Sequence, residues 1–119
     1  MFHTATPVLN VSSIAGAERF YCKQLGFERR FAYRPDESLL DPCYMGLKRD
    51  EAQIHVSSFS GDAVVGGVVN LIVDNLDGLH ESLVAAGISI ELPPTDQTWG
   101  DREMYVLDPD GNCLRFEQK

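Results

Sequence analysis

Thr98-Trp99-Gly100-Asp101-Arg102-Glu103-Met104-Tyr105-Val106-Leu107-Asp108-Pro109-Asp110-Gly111-Asn112-Cys113-Leu114-Arg115-Phe116 reads as strand, turn and strand. Met104 to Leu107 is rich in β-formers, Asp108-Pro109-Asp110-Gly111 supplies turn chemistry, and Cys113 to Glu117 alternates polar with apolar. Proline fixes one φ of such a turn, glycine supplies a positive one, and Asp side chains bond back to the local backbone. The same hairpin stands sixty residues earlier, where Leu47 matches Leu107, Ile54 matches Leu114, Val56 matches Phe116 and His55 matches Arg115. A repeat of this period changes the unit to be explained from one domain to two copies of a smaller one.

Working outward, the start of each copy repeats as well, with Val8 to Ile14 lying over Asn70 to Leu76. Thr6 to Val11 alternates as a strand with Pro7, Leu9 and Val11 on the core side. Ser12 or Ser13 caps a helix from about Ile14 to Gln24, whose stripe is Ile14, Ala17, Tyr21 and Leu25, and Gly26 ends it. Phe27 to Tyr33 is the next strand, Pro35 to Pro42 a loop, and Cys43 to Leu47 with Gln53 to Ser57 the first hairpin. In the second copy Val68 to Val73 is a strand and Asp74 or Asn75 caps a helix from about Leu76 to Ala86, with Leu76, Leu79 and Leu83 inward. Ile88 to Leu92 reads as a strand broken by Pro93-Pro94, and a polar loop then carries Trp99. The expected fold is therefore α+β, two tandem βαβββ modules (1–60 and 67–119, linker 61–66) forming a curved mixed sheet around a cleft.

Composition narrows the function. A chain of 119 residues with 44% apolar content supports one compact, unstapled domain. A formal net charge of −8 disfavours nucleic acid phosphates and anionic membranes as partners while leaving cationic ligands open. Cys22, Cys43 and Cys113 form no paired motif and fit reduced thiols, and no apolar run is long enough to span a membrane, so a cytoplasmic setting is expected. Signatures of nucleophile-elbow hydrolases, phosphate-binding loops and dinucleotide folds are missing from the sequence. The carboxylate pairs Asp50-Glu51 and Asp108-Asp110 belong to turns.

Alternation assigns the faces. If Ile54 and Val56 turn to the helix, Gln53, His55 and Ser57 line the cleft; the second hairpin contributes Cys113, Arg115 and Glu117 in the same way. Asn70, between the inward Val69 and Leu71, joins them.

The run Ala17 to Phe27 together with the terminal Asp-Pro-Asp-Gly-Asn turn resembles the vicinal oxygen chelate superfamily, which includes glyoxalase, extradiol dioxygenases, fosfomycin-modifying transferases and bleomycin-resistance proteins. Trp99-Gly100, Arg102-Glu103 and Asp108 to Cys113, with Pro7-Val8-Leu9, are most similar to the bleomycin-resistance branch. The resemblance implies paired βαβββ modules, a homodimer with grooves between chains, and four metal-ligand positions that fall on Thr6, His55, Val68 and Arg115. Of these only His55 ligates a transition ion: valine has no donor, and a permanent guanidinium cation repels one. A displaced site would need His55, Glu117 and a further donor. The expectation is accordingly a metal-free, cofactor-free, non-catalytic protein that binds a small molecule of the bleomycin type, with a metal-dependent lyase, isomerase or dioxygenase as the alternative. Its expected ligand residues are Trp99, Tyr44, His55, Arg115, Asn70, Glu103 and Gln53, because flat ring systems stack on aromatics and cationic tails favour an acidic surface.

Overall fold

The computed structural model describes residues 1–119. Strand β1 (Val8–Asn10) leads into helix α1 (Ile14–Ala17), which widens into a π-helical segment, Glu18–Gln24, before β2 (Glu28–Tyr33), β3 (Tyr44–Arg49) and β4 (Ala52–Ser57). After a connection without strands or helices come β5 (Val68–Ile72), α2 (Leu76–Ala85), β6 (Leu92–Asp96), β7 (Arg102–Leu107) and β8 (Cys113–Gln118). Two four-stranded sheets result, ordered β1-β4-β3-β2 and β5-β8-β7-β6. In each, the first strand runs parallel to the last and the other pairings are antiparallel. This is the α+β fold of two tandem modules that the repeat requires.

The caps are local. Ser13 accepts from the Gly16 N–H and Asn75 from the Gly78 N–H, so each helix starts on a side chain able to satisfy an orphan donor. Gly26, at φ 82°, closes the first helix in the left-handed region where glycine is free of Cβ strain. The widened turn lets the consecutive Phe20 and Tyr21 both face inward, with their rings edge to face at 4.9 Å. The expected stripe Ile14, Ala17, Tyr21 and Leu25 is buried; on α2, Leu76 and Leu83 are buried and Leu79 half so.

Alternate strand residues and both helices feed one cluster of 22 buried apolar side chains. Each fully buried Leu or Ile contributes about 2 kcal/mol of transfer free energy, so this shared core is what keeps the modules together. A polar knot adds direction. Asp108 accepts from the Tyr21 hydroxyl at 2.7 Å, the Asn112 side-chain amide at 2.8 Å and the backbone N–H groups of Asp110 and Asn112 at 2.9 Å. Asn112 in turn accepts from the Gly67 N–H at 2.8 Å and donates to the Asn10 carbonyl at 2.9 Å. The second hairpin turn is thus bonded to the first helix, the first strand and the connection between modules. Burial and the Asp108 carboxylate hold the Tyr21 phenol far above its ordinary range, keeping it a donor.

Four expectations are corrected. The sixth strand is Leu92–Asp96 rather than Ile88 to Leu92, and Pro93-Pro94 lies inside it. It is an edge strand whose register slips between Leu92 and Thr95, which is where a sheet tolerates residues lacking an N–H donor. Strand β7 starts at Arg102, two residues earlier than read, because Arg102 and Glu103 pair with Gln118 and Glu117. Strand β1 is Val8–Asn10 rather than Thr6 to Val11, and in register Val8 lies beside His55 as Asn70 lies beside Arg115. Ser57 is buried: its hydroxyl accepts from the Phe59 N–H as the chain turns over it.

Candidate functional site

The expected ligand residues fall into two groups, one on the open face of each sheet. On the first, the Tyr44 hydroxyl and His55 Nδ1 are 2.7 Å apart. Tyr44 and His55 sit on neighbouring strands, and their rings meet edge to face at 5.3 Å. Phe31 completes the group, stacked on Tyr44 at 6.2 Å and edge to face with His55 at 5.3 Å. Its position depends on Gly46, its partner in register: the Phe31 ring lies where a Cβ at 46 would be. Burial lowers the His55 pKa and raises that of Tyr44, to which Asp62 adds a smaller upward push. The imidazole is therefore neutral at pH 7. Beside these rings is a hollow of about 230 Å³ that Gln53 and His55 line together with Arg30, Phe31 and Lys48.

On the second sheet the centre is Glu103, only 4% exposed. One carboxylate oxygen accepts from the Trp99 indole N–H at 3.0 Å and the other from the Tyr105 hydroxyl at 2.8 Å. Trp99 is 63% exposed, so this bond holds a ring whose face is open to solvent. The Arg115 guanidinium lies over the Tyr105 ring at 5.1 Å, a cation–π contact, and Arg115 pairs in register with both Tyr105 and Asn70. The hydrogen bond to Glu103, ahead of burial, raises the Tyr105 pKa.

The donor chemistry does not fit a catalytic cation at the four positions the resemblance points to. His55 has one ring nitrogen engaged with Tyr44 and sits between Val8 and Gly46 in register, with no carboxylate or second imidazole beside it. His55 and Glu117 belong to different sheets. Asp101, Glu103 and Glu117 do converge, with one oxygen of each within 4.8 Å of the others. Lys119 already answers them, at 3.0 Å from Asp101 and 3.5 Å from Glu117, while Glu103 serves Trp99 and Tyr105.

The sequence reading named Trp99, Tyr44, His55, Arg115, Asn70, Glu103 and Gln53 as one ligand set; the structure groups Tyr44, His55 and Gln53 on one sheet and Trp99, Glu103, Arg115 and Asn70 on the other, and adds Phe31 and Tyr105, which that reading missed. Two signals pointed to them: a bare glycine inside a strand marks close approach by something else, and Tyr105 shares the parity of Glu103. A larger hollow of about 540 Å³ lies away from both groups, between the first hairpin turn and α2, lined by Leu25, Arg49, Leu71, Asn75 and Leu79 among others. No helix is long and apolar enough to cross a membrane.

The model of the Glyoxalase/Bleomycin resistance protein/Dioxygenase superfamily matches residues 1–116. The bleomycin resistance protein of Geobacillus stearothermophilus is 29% identical over 135 residues, covering 95% of this chain and 94% of its own. The bleomycin-binding protein of Streptomyces verticillus, solved with copper(II)-bleomycin, superposes with a TM-score of 0.75 at 28% identity, covering 98% of this chain and 95% of that one. A bleomycin-binding protein complexed with bleomycin shares the fold, with a TM-score of 0.79 at 24% identity over 99% of each chain.

Proposed function

We propose, starting from a chain that belongs to the glyoxalase/bleomycin resistance/dioxygenase superfamily, that this protein is a cytoplasmic homodimer that sequesters a cationic glycopeptide antibiotic of the bleomycin type without a metal of its own and without turnover. The observation that carries the reading is the pairing of hydrogen-bond-fixed aromatics, Trp99 exposed and Tyr44 half-buried, with a donor set unsuited to a catalytic ion. Trp99 and Tyr44 offer ring faces for a flat heteroaromatic system, and the acidic side chains around Glu103 favour a cationic tail. The named relatives support the ligand: proteins similar along nearly the whole chain are bleomycin resistance and bleomycin-binding proteins.

The dimer supplies what one chain lacks. Each aromatic group is confined to one sheet, and the open faces still expose apolar side chains: Phe31 at 47%, Tyr33 at 59%, Val68 at 55% and Ile72 at 69%. A second chain that sets its second module against the first would complete a groove from both groups, with 1–60 and 67–119 as the modules that meet and 61–66 as the link. Sequestration requires only stoichiometric affinity. Calorimetric titration with bleomycin tests it. One ligand per chain with a micromolar or tighter constant is expected, and a constant weaker than about 100 μM, roughly 5 to 6 kcal/mol, would remove sequestration as the function.

A further inference from the structure

Between the first hairpin turn and α2 the two modules do not close on each other. The hollow of about 540 Å³ left there has a floor of Leu25, Leu71 and Phe116, all buried. Leu71 and Phe116 alternate with Asn70 and Arg115 along β5 and β8, so this space lies on the helix side of the second sheet, turned away from the open face that carries Arg115. Its origin is a difference between the helices. In the first module the widened turn sends Phe20 and Tyr21 both inward, and Tyr21 reaches the second hairpin turn at Asp108. Helix α2 has regular turns: Leu83 is buried, and its neighbour Ser82 stands exposed on the wall of the hollow. The rim sets the charge. Asp50, Glu51 and Asp74 line the hollow and enter none of the ion pairs of the molecule. The one cation on the lining, Arg49, is tied to the Leu25 carbonyl at 2.7 Å. The N-terminus of α2 faces the same space, but Gln118 and Asn75 already serve the Leu76 and Gly78 N–H groups.

We propose that this hollow is a second ligand site, for an organic amine carrying one or two rings, its hydrocarbon body on Leu25, Leu71 and Phe116 and its ammonium at the rim of Asp50, Glu51 and Asp74. The volume falls within the range of about 300–1,000 Å³ that small-molecule sites occupy. Three carboxylates against one engaged guanidinium favour a cation, and the apolar floor favours an organic one, since a hydrated metal ion gains nothing from hydrocarbon. The hollow shares no residue with the aromatic groups on the open faces, so it stands whether or not those faces hold an antibiotic.

The test titrates the full chain with naphthylmethylamine, with naphthoate as a body of similar shape and opposite charge, and with naphthylmethanol as a neutral one. NMR follows the Gly78 amide and the Ala52 and Leu79 methyls against the Trp99 indole and the His55 ring. The amine is expected to move the first set and leave the second in place, with about tenfold higher affinity than naphthoate and about threefold higher than the alcohol. Ser82→Phe, which places a ring in the space, should lower amine affinity at least tenfold while urea unfolding and the Trp99 signal stay as in the parent. Asp50→Asn with Glu51→Gln should lower it about threefold and leave the alcohol unchanged. Naphthoate binding as tightly as the amine, shifts centred on Trp99 or His55, or an amine affinity unmoved by either variant would overturn the assignment.

Discussion

The two hairpin turns occupy equivalent places in the repeat and are held by different means. At the second, Asp108 and Asn112 are buried and bind Tyr21, Asn10 and Gly67 in the other half of the molecule or the connection to it. At the first, sixty residues earlier, Lys48 and Ala52 stand in those places. Its tie to the helix layer is Arg49, which donates to the Leu25 carbonyl at 2.7 Å, and between this turn and α2 the hollow of about 540 Å³ stays open. A duplicated fold needs its junction fixed once; the other copy is then free to vary.

Asp108→Ala should break that asymmetry most severely. Four donors lose their acceptor in a buried site, a loss of about 3–5 kcal/mol against a total stability of about 5–15 kcal/mol, measured by urea unfolding. Glu51→Ala in the first turn should change stability by less than about 0.5 kcal/mol. Comparable losses from the two would mean that the turns are not distinguished by this network. Tyr21→Phe, which removes one of the four donors, should cost about 1–3 kcal/mol in the same assay.

The two aromatic groups differ as well. Trp99→Ala should weaken bleomycin binding by about thirtyfold or more, as removal of a central aromatic anchor does, while Tyr44→Phe keeps the ring and should cost no more than about threefold. The reverse order would move the centre of the ligand to the first sheet.

A smaller effect comes from His55. Its imidazole takes a proton in the unfolded chain near pH ~6.5, whereas burial lowers the folded pKa below that. Between the two values the unfolded state binds more protons, so stability falls as pH drops through that window, and above pH ~6.5 the group has no effect. His55→Gln should lose less thermal stability than the parent between pH 7 and 5; an identical decline would show that His55 is not desolvated.

The repeat, the strand alternation and the helix caps were legible because each is set by neighbours in sequence: Ser13, Asn75 and Gly26 act within a few residues of themselves. What escaped depends on register. Proline inside β6 contradicts local propensity and is tolerated only because that strand lies at an edge, a fact of topology. The roles of Asp108 and Asn112 as a bond between modules were hidden behind their fitness for a turn, since the same side chains serve both. Glu103 was named from the resemblance, but its bond to Tyr105 follows from parity along β7 and its bond to Trp99 from the turn before that strand.

The claim on which the rest depends is binding without turnover by a protein that brings no metal. Native mass spectrometry of the chain, mixed with metal-free bleomycin and then denatured to release the drug, addresses it in one experiment. The account predicts a dimer carrying two drug molecules whose mass is unchanged on release, from a free protein with less than about a tenth of an equivalent of Ni, Zn, Mn or Fe per chain. Released drug of altered mass, or a near-stoichiometric metal in the free protein, would contradict it.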